Sequence, residues 1–300
     1  MVARADICTL CPRRCGVERG QGFCHAGKEL EVGAVCLHRG EEPPISGEHG
    51  IVNIFFAHCN LQCVYCQNHQ ISSRQSTAPT MSVDQLADRV CQLLPESSGS
   101  VGFVTAAHYA DRLPDIVAAI EARGQHPTYV YNSSGYESVD TLRRLEGIVD
   151  VYLPDYKYAD PAVASLLSHA PDYAEVAQAA LLEMRRQVGE GLKEADGVAY
   201  RGMVVRHLVL PGFVSNSLQC LNWLAENFDT DRLHLSLMAQ YFPPKAELPA
   251  DMNRTLTASE YQTVTDQADA LGFECGWQQE LSAEQNYRPD FDRSGNPFES

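Results

Sequence analysis

The stretch Ile51-Val-Asn-Ile-Phe-Phe-Ala-His-Cys59-Asn-Leu-Gln-Cys63-Val-Tyr-Cys66 decides the fold. Its first six residues, Ile51–Phe56, are β-branched and aromatic apart from one Asn, the composition of a buried strand. The cysteines follow at once, at separations of four and three. That puts them in the first strand-to-helix loop, on the face where barrel enzymes place their active sites. Three thiolates so spaced can wrap a loop around one cubane, and a 4Fe–4S cluster normally takes four, so one iron stays open. The competing reading is a zinc site completed by His58 or His69, or plain core thiols.

Outward from this stretch, β-rich runs alternate with amphipathic ones, the pattern of βα units around a parallel sheet. The expected strands are Ile51–Phe56, Val101–Val104, Thr128–Tyr131, Val149–Leu153, Met203–Leu210 and Leu233–Met238. Each is followed by a helical pattern. In the first, Ser82 and Gln85 form a capping-box pair, and Val83, Leu86, Val90 and Leu93 share a face. Asp160 to Val188 reads as a two-helix elaboration, and the last helix runs from about Ser259 to Leu271 before Gly272. The fold class is α/β, six βα units forming a partial barrel behind an N-terminal cysteine-rich extension. The expected organisation is a cysteine-rich module over 1–48, the βα units over 49–280 and an irregular polar tail over 281–300.

Composition narrows the function classes. The chain has 300 residues and a formal net charge of −16. That charge argues against tracking a phosphate backbone, which requires clustered Lys and Arg. The N-terminus lacks an apolar run of signal length, and no later stretch approaches the roughly 20 apolar residues that span a bilayer. A soluble, cytoplasmic protein without a membrane partner is expected.

Eleven cysteines are many for a reducing compartment. Cys8, Cys11, Cys15 and Cys24 form a second group, with Arg13 and Arg14 nearby to favour thiolates. Four thiols suffice for a closed site. The spacing matches neither a zinc ribbon nor a ferredoxin run, so a zinc knuckle, an auxiliary iron–sulfur cluster and a merely structural, unmetallated group all remain open.

The run from Cys59 to Cys66 resembles the Cys-x3-Cys-x-aromatic-Cys signature of the radical S-adenosylmethionine superfamily, with Tyr65 in the aromatic place. Further phrases resemble its PflX-like branch, relatives of the pyruvate formate-lyase activating enzyme. They are CTLCPRRCGV (8–17), HRGEEPPISG (38–47), YNSSGY (131–136), YLPDYKY (152–158) and RHLVLPG (206–212), and the likeness spans residues 8 to about 280. The resemblance implies a partial TIM-like barrel, a 4Fe–4S cluster on Cys59, Cys63 and Cys66, and S-adenosylmethionine on the open iron. It also implies cofactor contacts from Tyr65, Asn132, Ser133, Lys157 and Arg206, and no catalytic side chain beyond the cluster-bound cofactor.

The chain departs from the pattern at Thr105-Ala106-Ala107-His108, where many members carry Gly-Gly-Glu and the branch Thr-Pro-Thr-His. His108 reads as a hydrogen-bonded structural histidine, because hydrogen abstraction needs no acid or base. Gln240 and Tyr241 end the sixth strand on the substrate face. The resemblance further implies a one-electron donor such as flavodoxin or ferredoxin, and a protein or peptide substrate by analogy with the activating enzymes. A small-molecule substrate is the alternative, and a non-catalytic electron carrier or metal-dependent binding module is the reading from another class.

Overall fold

The computed structural model describes residues 7–245, 247–285, 288–293 and 295–299. All six expected strands form, side by side and parallel. Strand β1 (Leu30–His38) runs antiparallel to β2 (Ile51–Phe56). Beyond β2 follow β4 (Ser100–Val104), β5 (Thr128–Ser133), β6 (Val151–Pro154), β8 (Val198–Leu208), β9 (His234–Met238) and β10 (Gly276–Gln278), all parallel. Short strands β3 (Thr80–Met81) and β7 (Leu192–Ala195) pair antiparallel with β1 and β8. The sheet is an open barrel of βα units.

Helix positions follow the local chemistry. Ser82 accepts from Gln85 N and Gln85 caps back, starting α3 (Val83–Leu93), which buries Leu86, Ala87 and Val90. The elaboration is two helices, α6 (Pro161–Ser168) on an Asp160 cap and α7 (Tyr173–Val188). The last helix, α9 (Ala258–Ala270), starts on a capping box of Thr257 and Glu260, and Gly272 beyond it takes a left-handed φ of 80°.

Strand alternation builds the barrel interior. In β2, Val52, Ile54 and Phe56 join the large core under the helices, while Ile51, Asn53 and Phe55 point the other way. Ile51, Val130, Val151 and Val204 close the bottom of the interior around Ile45. Two residues further along the same strands come Asn53, Asn132, Leu153 and Arg206, and at the top Phe55, Ser134, Asp155 and Leu208. The interior therefore passes from apolar floor to polar cavity in the direction of the first loop.

Four strands, β1, β3, β7 and β10, were not among those expected. In β1, Gly33 leaves room for Ile71, whose Cγ2 would lie 2.7 Å from an added Cβ, so this strand's glycine records a close approach. Strand β10 is three residues long and extends the parallel order past β9. In the tail, Phe291 and Phe298 pack on Phe55, and Asn296 Nδ2 donates to Leu37 O at 2.8 Å.

Gly135, in the loop after β5, has φ +79°, and a Cβ there would lie 2.2 Å from Asp155 O. Both the left-handed backbone and the clash oppose a side chain, so Gly135→Ala should cost about 2 kcal/mol or more. A urea midpoint unchanged from the parent would contradict this packing.

Candidate active site

A cavity of about 320 Å³ opens at the C-terminal ends of the parallel strands, and Cys59, Cys63, Tyr65 and Cys66 form one wall. The loop carrying them is held by side chains. Gln62, at φ 58°, donates to Cys59 O at 2.9 Å and to Ser72 O at 2.5 Å. Each cysteine sulfur accepts a hydrogen bond: from Leu61 N to Cys59 at 3.3 Å, from Ser168 Oγ to Cys63 at 3.1 Å, and from Ser72 Oγ to Cys66 at 3.2 Å. Burial, then the facing Cys63 and Cys66, push the Cys59 thiol up to about 12. A buried set of sulfurs like this becomes thiolate only with a cation among them, which is what cluster iron supplies. The donor set fits a three-thiolate cluster. Among the described residues, no three His, Cys, Asp or Glu side chains already surround a single point as one metal ion's ligands would.

The other candidate residues fall into three situations. Asn132 and Lys157 line the cavity. Lys157 Nζ sits 2.5 Å from Asp155 Oδ2. Burial opposes its charge, but the Asp155 carboxylate more than offsets this and raises the pKa. Tyr65 lines the cavity with its ring, while its hydroxyl accepts from Tyr158 OH at 2.6 Å in the core. Ser133 faces away: its hydroxyl donates to Glu137 Oε1 at 2.6 Å, and Ser134 takes the place on the cavity wall.

Arg206 also lines the cavity, with its guanidinium committed. Nε donates to Glu42 Oε1 at 2.9 Å, and the same group pairs with Glu41 Oε2 at 2.5 Å and with Glu42 Oε2. Burial would raise the Glu41 pKa, but the Arg206 charge wins and holds it at about 2. Asn53 Nδ2 donates to Glu41 Oε1 at 2.8 Å, closing a polar layer beneath the cavity. Sequence reasoning missed Glu41, Glu42 and Asn53 as parts of this layer.

Of the remaining residues, Thr105 lines the cavity at φ 59°. His108 is buried with Nε2 2.7 Å from Ala57 O, and burial lowers its pKa to about 3. It is a neutral structural histidine, outside the cavity. Gln240 lines the cavity, donates to Gln67 Oε1 at 3.2 Å and accepts from Gln279 Nε2 at 2.8 Å. Tyr241 is buried, its hydroxyl donating to Met252 O at 2.7 Å. Cys8, Cys11, Cys15 and Cys24 line a separate, smaller cavity.

The fold has solved counterparts. HydG, a maturase of the FeFe-hydrogenase, superposes with a TM-score of 0.51 at 12% identity, over 79% of this chain and 53% of its own. Native anSMEcpe with bound AdoMet gives 0.51 at 14%, over 76% and 58%. Methylornithine synthase, PylB, gives 0.50 at 13%, over 76% and 63%. All three are radical S-adenosylmethionine enzymes. The chain has their fold. It spans between 53% and 63% of the length of these structures. By sequence it is 28% identical over 275 residues to the uncharacterized protein MJ0674 of Methanocaldococcus jannaschii, covering 87% of this chain and 74% of that one. No protein-family model matches the chain. Among the described residues, no helix is long and apolar enough to cross a membrane.

Two stability predictions follow from the ionised layer and its neighbour. Arg206→Met strands two buried carboxylates, so unfolding at neutral pH should show a loss of ~3–5 kcal/mol. An unchanged midpoint would mean the triad is not formed. Glu137, fully buried beside Ser133, has its pKa raised by burial from 4.5 to about 7. Its folded pKa exceeds the unfolded one, so its contribution is full below pH 4.5 and is lost as pH rises through about 7. The size is ~3 kcal/mol. Glu137→Gln should flatten stability across that interval, and a slope equal to the parent's would contradict the assignment.

Proposed function

We propose that this chain is a radical S-adenosylmethionine enzyme whose Cys59, Cys63 and Cys66 hold a 4Fe–4S cluster with one iron open to the cofactor. One observation carries the reading. The three sulfurs, each accepting a hydrogen bond, share a single cavity wall at the strand ends with Lys157 in reach of the same cavity. An electron carrier needs the sulfurs but not a 320 Å³ cavity lined by Asn132, Ser134, Asp155 and Lys157.

A 4Fe–4S cluster held by Cys59, Cys63 and Cys66 would supply, when bound, reductive cleavage of S-adenosylmethionine and through it hydrogen abstraction from a substrate. The chain's own residues bind, orient and shield. Lys157 offers a buried ammonium to the cofactor's carboxylate, steadied by Asp155, and Asn132 offers an amide to its ribose or methionine portion. Arg206 acts through Glu41 and Glu42, fixing the layer beneath the substrate rather than presenting free donors. The apolar floor and the aromatic residues Phe55 and Phe298 keep water from the reacting space.

In the same reading the chain belongs with the PflX-like relatives of the activating enzymes, in the cytoplasm. It takes an electron from a flavodoxin or ferredoxin and makes a carbon radical on a protein or peptide. The quoted phrases support the branch, and the protein or peptide substrate follows by analogy with the activating enzymes.

The test is anaerobic reconstitution with iron and sulfide, then dithionite and S-adenosylmethionine, reading 5′-deoxyadenosine. The parent should release it, and Cys59→Ala, Cys63→Ala and Cys66→Ala should each abolish release. Lys157→Ala should keep its cluster and bind the cofactor about tenfold or more weakly. Release at the parent rate from any cysteine variant would sink the proposal. Unchanged affinity in Lys157→Ala would remove that residue from the cofactor site.

A further inference from the structure

The cysteines ahead of the sheet lie outside the catalytic cavity, and the chemistry above makes no use of them. Cys8, Cys11, Cys15 and Cys24 nevertheless line one cavity of about 10 Å³, with Gly20 and Gly22 in its wall. Such a space holds about one water-sized sphere. It suits a single ion better than a cubane.

The backbone is arranged around the sulfurs. The chain turns at Cys11 and Cys24, where Arg14 N donates to Cys11 O at 3.0 Å and His25 N to Gly22 O at 3.1 Å. Phe23 N donates to Cys15 Sγ at 3.3 Å. Left-handed residues follow in both turns, Arg14 at φ 40° and His25 at φ 63°. A neutral thiol sulfur accepts weakly, so the backbone N–H on Cys15 Sγ marks a position fitted to a thiolate.

A second observation points to a cation. His108 lines the same cavity and is 3% exposed. Its Nε2 lies 2.7 Å from Ala57 O, so that nitrogen carries the proton, and Nδ1 has no partner among the described residues. That lone pair turns its negative end into a cavity already lined by four sulfurs, a setting that favours a cation held there by the thiolates.

We propose that Cys8, Cys11, Cys15 and Cys24 bind one zinc ion as a tetrathiolate. Four thiols give up their protons, and the ion takes the four sulfurs. No three of these side chains yet surround one point. Drawing them together is the ordering that the ion's binding energy supplies. The segment is already moored to the catalytic loop, because Arg13 donates to Asn60 O at 3.0 Å and to Ser168 O at 3.1 Å, beside Cys59 and the Cys63 hydrogen bond. Zinc therefore steadies the loop that holds the cluster.

The experiment separates this site from the catalytic one. In a Cys59→Ala/Cys63→Ala/Cys66→Ala variant only the N-terminal group remains, and metal analysis should find about one zinc and no iron per chain. After chelation, cobalt titration of that variant should give tetrahedral-thiolate visible bands that saturate near one equivalent. Adding Cys8→Ser and Cys11→Ser should remove both signals. About four irons in the triple-Ala variant would mean an auxiliary cluster and would overturn the zinc assignment. Neither zinc nor a cobalt band would show that ordinary packing holds the segment. Because these readouts need no S-adenosylmethionine cleavage, they stand or fall apart from the proposed activity.

Discussion

Three sulfurs that face one another in a buried wall cannot all be anions without a cation among them. The first loop of this chain is built around that constraint. Gln62 pins its backbone twice, and Ser72 and Ser168 aim hydroxyls at Cys66 and Cys63. Tyr158 closes the chain of bonds by joining Ser168 to Tyr65. These bonds preset the loop at some cost in buried polar groups, a cost that iron–thiolate bonding would offset in the proposed cluster.

A second buried charge layer faces the first across the cavity. Glu41 and Glu42 arrive from the turn before Pro43, and Arg206 arrives from β8, with Asn53 between them. Formally the triad carries one excess negative charge, while Lys157 and Asp155 balance each other. A buried ion set of this kind is weak evidence for stability, because desolvation cancels much of its attraction. Its value here is positional. It fixes the layer beneath the cavity, while Lys157 lies in the cavity wall, where burial opposes its charge but Asp155, and then Tyr65 and Cys63, raise its pKa.

Much of this was legible in the sequence. The six strands, the capping box at Ser82, and the loop position of Cys59–Cys66 are local signals, each carried by a few adjacent residues. The parts that were not legible depend on distant chain. Strand β1 is specified by pairing with β2 and by Ile71 crossing Gly33. Arg206 reads as a free cation until Glu41 and Glu42 are brought beside it from more than 160 residues away. Ser133 is the instructive case. With β5 taken to end at Tyr131 its facing is ambiguous, but with the strand running through Ser133, two-residue alternation puts Asn132 and Ser134 inside and Ser133 out.

The central claim is that the cluster on Cys59, Cys63 and Cys66 keeps one iron for S-adenosylmethionine. Electron paramagnetic resonance of the anaerobically reconstituted, dithionite-reduced chain tests it most directly, recorded before and after the cofactor is added. The account predicts a reduced 4Fe–4S signal whose shape changes on addition, because the cofactor enters the coordination sphere of the open iron. A reduced cluster whose spectrum stays the same at saturating S-adenosylmethionine would contradict it.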